Sequence, residues 1–322
     1  MPEGNAMKRL CIKILILFSI VFLLFFLVNL RYLKTNHWKY QNDVHKFSSI
    51  PYDIELANLG SSHGNWGFYY NYTPEINAFN FGLGSQKFFY DFSMLQQFIG
   101  HFKKDAVLLV PISYFAMIHY TEDQELKSFN VVRPRYYRIL DRKYLDSWSF
   151  IDYLQYRVFG ILSSGIHVLD VIKDTGPSED PYFTRTGSMG DKELYDYCEN
   201  YRKIYADVEK TDSMNIESVS KIVDFAVEHN LRPVFISTPI LDYLNDIFAQ
   251  DEEFFPTFYR FIDNLIKKYP NVPYLDYSHD ERIVTHREFF SDADHLNMFG
   301  AEIFTKLVVS DLRKIGMLPE KE

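Results

Sequence analysis

The segment Ile54-Glu55-Leu56-Ala57-Asn58-Leu59-Gly60-Ser61-Ser62-His63-Gly64 joins an apolar run to a glycine-flanked polar turn. Residues 54–59 are short and apolar, as a buried strand requires, and Gly60 ends them. In open α/β sheets ligands gather beyond the carboxyl ends of the strands. Ser62 therefore stands where a serine can do chemistry, although a serine in such a turn also serves as an ordinary cap for the helix behind it.

Four further runs suit strands: residues 78–81, 106–110, 233–237 and 272–276. Between them, residues 86–102 place Phe88, Phe89, Phe92, Leu95, Phe98 and Ile99 at helical spacing. Residues 215–229 repeat the pattern with Ile216, Val219, Ile222, Val223 and Ala226, and residues 253–269 and 298–315 complete the set. This alternation predicts an α/β fold, a three-layer α/β/α sandwich around a five-stranded, mostly parallel sheet. Residues 115–212 fit it poorly, being rich in tyrosine and broken by Pro134, Gly176, Pro177, Pro181, Gly187 and Gly190. They are expected to form an insertion that shapes a substrate groove.

Residues 14–30 carry no charge, and Cys11 and Ile12 extend them to nearly the ~20 residues that a bilayer core requires. Lys8, Arg9 and Lys13 precede the run, and no small-x-small cleavage site follows it, so it reads as an uncleaved signal anchor. A near-uniform apolar run without a polar face argues against a buried core helix. Arg31, Lys34 and Lys39 balance the basic residues on the other side, so charge bias leaves the orientation open. The expected organisation is a tail and anchor at 1–35, a linker at 36–50, one domain at 51–316 and a tail at 317–322.

A net charge of −9 provides no basic footprint, which argues against a nucleic-acid partner. With only Cys11 and Cys198, the soluble part can form neither an internal disulfide nor a cysteine metal cluster. The aromatic content of 17%, from 29 Phe, 24 Tyr and 3 Trp, is high throughout, so the tyrosines of 115–212 do not by themselves indicate sugar binding.

A second polar element, Asp292-Ala293-Asp294-His295, lies just ahead of the last helix. Residues three apart in a helical turn share a face. Asp292 can then accept the Nδ1 proton of His295 and leave Nε2 free to take a proton from a serine. Asp292 read alone is also a helix cap, and Asp292, Asp294 and His295 together also suit a metal, though no further ligands cluster with them.

A serine after the first strand combined with a late Asp-x-x-His resembles the SGNH (GDSL-like) hydrolase superfamily, whose sheet is flavodoxin-like. Gly60-Ser61-Ser62 matches the family's Gly-Asp-Ser block with serine in place of aspartate. The resemblance, which spans about residues 51–316, implies a catalytic triad of Ser62, Asp292 and His295 and an oxyanion hole built from the amides of Ser62 and Gly84. Val110-Pro111-Ile112-Ser113-Tyr114 stands where the family has its Gly-x-Asn-Asp block, so the third donor stays open, with Ser113 as the candidate substitute. Among SGNH proteins the chain looks most like the membrane-anchored cell-envelope acyltransferases that serve polysaccharides or teichoic acid. That likeness implies O-acyl transfer, most simply acetyl, to a cell-surface glycopolymer. It also implies a membrane-bound O-acyltransferase as partner, an extracytoplasmic domain with a cytoplasmic N-terminus, and no cofactor or metal. A membrane-tethered carbohydrate esterase and a non-catalytic polymer-binding scaffold are the alternatives.

Overall fold

The computed structural model describes residues 3–117, 121–165, 168–174, 185–206 and 215–320. The chain forms two compact units, one of Met1–Ser48, Pro134–Ile139 and Ser147–Tyr182, the other of Ser49–Arg133, Leu140–Asp146 and Phe183–Glu322. The segment 115–212 is thus shared between them.

The larger unit is built on five strands, β1 (Ile54–Asn58), β2 (Ala78–Asn80), β3 (Phe102–Pro111), β4 (Arg232–Ser237) and β5 (Tyr274–Asp276). All pair in parallel in the order β2-β1-β3-β4-β5, the flavodoxin-like arrangement. Every expected strand is present. β3 starts earlier than its apolar run, because Phe102 pairs with Ile54 ahead of a register shift while Lys103, Lys104 and Asp105 stay exposed. Hydropathy detects buried strand residues and misses exposed ones.

The strand order reverses at β1, from which the chain steps first to β2 and then back past β1 to β3. Right-handed crossovers therefore put the β1–β2 connection on one face and the later connections on the other. On the latter face Phe88–Phe98, Ile216–Glu228 and Phe254–Lys268 pack side by side, the second burying Val219, Ile222, Val223 and Ala226. Met298–Lys314 packs instead against Ser62–Gly67, the short helix after β1. The central strands carry the core, with Leu56, Val107, Leu108, Leu109, Val234 and Ile236 buried completely. At the reversal the carboxyl ends of β1 and β3 open a crevice suited to a ligand.

In the smaller unit, the helix Glu3–Tyr32 contains an apolar span, Met7–Tyr32, whose first half is exposed. It is long and apolar enough to cross a membrane.

Candidate functional site

The turn after β1 is held by a small group of interlocking amides. Asn58 Nδ2 donates to the carbonyls of Leu59 and Gly64 and to Asn80 Oδ1, at 2.9–3.1 Å. Asn80, at the end of β2, donates to the carbonyls of Gly64, Asn65 and Phe68 and accepts from Gly82 N–H. The two asparagines thus tie the turns after β1 and β2 together. Gly60 adopts φ +112°, which a side chain rarely does, and a Cβ on Gly64 would fall 2.3 Å from the Leu59 carbonyl oxygen. Ser61 is the N-cap but makes no capping bond, and Ser62 opens the helix half-buried.

Asp91, on the helix Phe88–Phe98, holds the turn from beneath. Its Oδ1 accepts 2.7 Å hydrogen bonds from Gly60 N–H and Gln86 Nε2. Burial raises its carboxyl pKa to about 6, even though these two bonds oppose the shift.

Asp292 and His295 meet in a looped turn closed by the Phe290–Leu296 bridge, not in the helical turn their spacing suggests. Asp292 Oδ1 accepts from the backbone N–H groups of Asp294 and His295, an Asx-type turn that brings the side chains round. His295 Nδ1 then lies 2.9 Å from Asp292 Oδ1. Its Nε2 is buried and has no hydrogen-bond partner among the described residues. The other oxygen of Asp292 pairs with Arg185, whose guanidinium lies 3.9 Å over the Trp66 ring.

Asp294 also faces His295 Nδ1, at 3.1 Å, and it accepts hydrogen bonds from Tyr197 at 2.6 Å and Tyr201 at 2.9 Å. Burial alone would favour its neutral form, but His295, and to a lesser degree His63, hold it ionised, well below the usual carboxylate range. For His295 the balance runs the other way. Burial lowers its pKa, while Asp294 and Asp292 together raise it to about 9.

His63 stacks on His295, and its Nε2 lies 3.3 Å from Asp294 Oδ2. His63, Asp294 and His295 present ligand atoms within 4.8 Å of one another. A divalent ion there would have to compete with two phenols for Asp294 and, at His295 Nδ1, with Asp292. The metal alternative drawn from Asp292, Asp294 and His295 thus finds a different trio, without Asp292.

Ser62, Gly84, Ser113 and His295 all line one cavity of about 740 Å³, a size suited to a sizeable ligand. Phe115, Tyr201 and Arg185 reach the same cavity from the 115–212 segment. The supporting residues Asp91, Arg185, Tyr197 and Tyr201 were not singled out from the sequence. Tyr197, Tyr201 and Tyr205 recur every fourth residue on the helix Asp191–Ala206, a one-face stripe that would have signalled them.

No family model matches the chain, and no curated protein matches it. Among solved structures it is similar to a Bacteroides fragilis protein proposed to be an acylhydrolase, at 8% identity and a TM-score of 0.40 over 85% of this chain and 96% of that one. A likeness this loose carries no functional assignment.

Proposed function

We propose that this chain is a serine-dependent acyl-transfer enzyme, with Ser62 as nucleophile, His295 as general base and Asp292 as the carboxylate that orients it. The observation that carries this reading is the state of His295. Its Nδ1 is held by Asp292, while its buried Nε2 has no partner among the described residues and its ring lines the cavity that Ser62 also lines.

In this mechanism His295 Nε2 takes the Ser62 proton as Oγ attacks the carbonyl carbon of an ester donor. The tetrahedral intermediate collapses, the C–O bond to the leaving alkoxide breaks, and imidazolium returns the proton to that oxygen. The acyl group is left as an ester on Ser62. An acceptor hydroxyl, deprotonated by the same nitrogen, reverses the sequence. The amides of Ser62 and Gly84, with Ser113 as third donor, would stabilise the oxyanion, and one such donor is typically worth ~10²–10³ in rate.

The acceptor in this reading is a hydroxyl of a cell-surface polysaccharide or teichoic-acid-type polymer, and the acyl group, most simply acetyl, comes by way of a membrane-bound O-acyltransferase. The resemblance to envelope acyltransferases supports this assignment and the placement of the domain outside, and the membrane-length apolar helix would keep the enzyme at the membrane. When water is the acceptor, the same groups make an esterase.

Mass spectrometry of the protein incubated with an activated acetyl ester provides the test. An acetyl adduct is expected on Ser62, lost in Ser62→Ala and retained in Ser61→Ala. Equal loss in both variants, or no adduct at any pH, would sink the nucleophile assignment. Adding glycan then separates the acceptors, because a transferase moves the label to sugar and an esterase releases it as acid.

A further inference from the structure

The second half of the membrane-length helix is not bare on all sides. Phe25 and Val28 are half-buried, and Asn29 and Tyr32 are buried, the i, i+3, i+4, i+7 pattern of one covered face. It is covered by the later part of a segment of helical turns (Phe150–Tyr153, Leu154–Val158 and Gly160–Ser163), namely the Val158 carbonyl, Phe159 and Gly160–Ser163, and by the short helix Val168–Lys173 beyond it. The Phe159 ring lies 6.2 Å from Phe22 and 5.5 Å from Phe25. Arg31 donates to the Asp174 carbonyl, which fixes the far end of this segment, past the short helix Val168–Lys173, at the last turn of the long helix.

Depth follows from helix geometry. Phe22 precedes Leu30, the last residue of the uncharged run, by eight residues and Phe25 by five, or about 12 and 8 Å at 1.5 Å per residue. If the long helix spans a bilayer, Phe159 sits that far below the level of Leu30, within one leaflet of a ~30 Å hydrocarbon core.

Backbone at such a depth has no water to bond to, so a break in helical structure requires a protein partner. The break at Phe159, φ −111° and ψ 57°, has one. Asn29 Nδ2 donates to the Val158 carbonyl at 2.9 Å, and Asn29 Oδ1 accepts from Ile161 N–H at 3.4 Å. A buried asparagine in an apolar helix is costly unless it has such work. On the outside of the same segment Phe150, Ile151, Leu162 and Ile172 are 57–72% exposed, a concentration of large apolar side chains unusual for a surface facing water.

We propose that residues 150–165 and 168–174 form a second membrane-seated element, a short re-entrant segment that lies along the anchor helix and offers Phe150, Ile151, Leu162 and Ile172 to lipid acyl chains. Continuity with the lipid-facing surface of the anchor identifies the occupant. The proposal rests on the anchor reading and is independent of the Ser62 chemistry.

The test uses the full chain with Cys11→Ser and Cys198→Ala, reconstituted in phosphatidylcholine nanodiscs, with single cysteines carrying an environment-sensitive fluorophore. Leu162→Cys should be quenched several-fold more by mid-chain nitroxide lipid, and Ile172→Cys by headgroup-proximal nitroxide lipid, than by an aqueous nickel chelate. Val227→Cys, exposed on the soluble unit, should show the reverse, and Leu24→Cys on the anchor should follow the lipid pattern. Aqueous quenching at 162 and 172 with lipid quenching at 24 overturns this proposal alone, whereas aqueous quenching at 24 as well removes the anchor reading with it. Protection of 162 from both quenchers, or its crosslinking to a protein in native membranes without lipid quenching in nanodiscs, assigns the face to a protein and also overturns the proposal. A hydrophobic carbene photolabel on the unsubstituted protein gives a parallel reading, with adducts expected on the described residues between 150 and 172.

Discussion

His63 stacks on His295 with ring centroids 5.0 Å apart and planes 22° from parallel, so the imidazole next to Ser62 in sequence braces the imidazole proposed as its base. Phe115 closes the other face of His63 at 5.3 Å. The brace matters because the position of a base is worth more than its mere presence, and an error of about 1 Å can cost ~10² in rate.

His63→Phe keeps the stack and most of its volume, and kcat should change little. His63→Ala removes the brace and should lower kcat on the order of tenfold to a hundredfold, with a smaller effect on KM. Equal kcat losses in the two variants would point to the His63 nitrogens, not its ring, as the part that matters.

The pH profile should reflect the two carboxylates around His295. A general base works only when neutral, so activity on a small ester should rise with pH to a midpoint near 9, above the ~6.5 of an ordinary histidine. Asp294→Asn removes the charge that does most to raise that pKa, and the midpoint should move down. The spacing of Asp292 and His295 alone predicts a mild effect for this change, but the 3.1 Å approach of Asp294 to His295 makes it a strong one. The same shift acts on stability. Because the folded pKa is raised, the stabilisation from protonated His295 is complete below ~6.5 and is lost as the pH rises through about 9. Thermal melts across that window test it.

Asp292→Asn keeps the shape of the turn but can present an amide N–H to His295 and favour the wrong tautomer. The comparable change in the serine-protease template costs ~10⁴ in kcat. A loss of that order is expected, with the adduct on Ser62 suppressed to match. A rate loss no larger than that of Asp294→Asn would transfer the orienting role to Asp294.

Asp91 leads to a prediction of the opposite kind. Its carboxyl pKa is raised from 3.8 to about 6, so at pH 8 the protein carries a buried charge that burial disfavours. Asp91→Asn presents the same acceptor oxygen to Gly60 N–H and Gln86 without the charge. It should raise Tm at pH 8, through a stability gain of at most about 3 kcal/mol, the free-energy equivalent of the raised pKa. The gain should shrink at pH 5, where the native carboxyl is already protonated. A lower Tm at both values would mean that the carboxylate itself is needed to hold the turn.

The five strands and their covering helices were legible because buried apolar runs and 3.6-residue stripes are local signals, written within ten or so neighbouring residues. Gly60 and Ser62 were legible for the same reason, since a glycine-ended strand marks a turn at a sheet's edge. The early start of β3 was not, because only Phe102 pairs ahead of the irregularity and Lys103 to Asp105 stay exposed, leaving no hydrophobic trace. Asp292 and His295 were found by spacing, although an Asx turn brings them together in place of a helical one.

What depends on distant residues had no local signature. Asp91 reaches back 31 positions to Gly60, and Tyr197 reaches forward 97 to Asp294. Asn29 meets Val158 across 129 residues. The sequence alone determined the order of elements, the apolar helix and the serine, aspartate and histidine whose residue types suit the chemistry. Only the tertiary structure decided that His295 lies between two carboxylates and that part of the 115–212 segment packs along the apolar helix. Pattern specifies which face of an element is buried, but which distant face it meets depends on long-range packing, and no window of neighbouring residues contains that information.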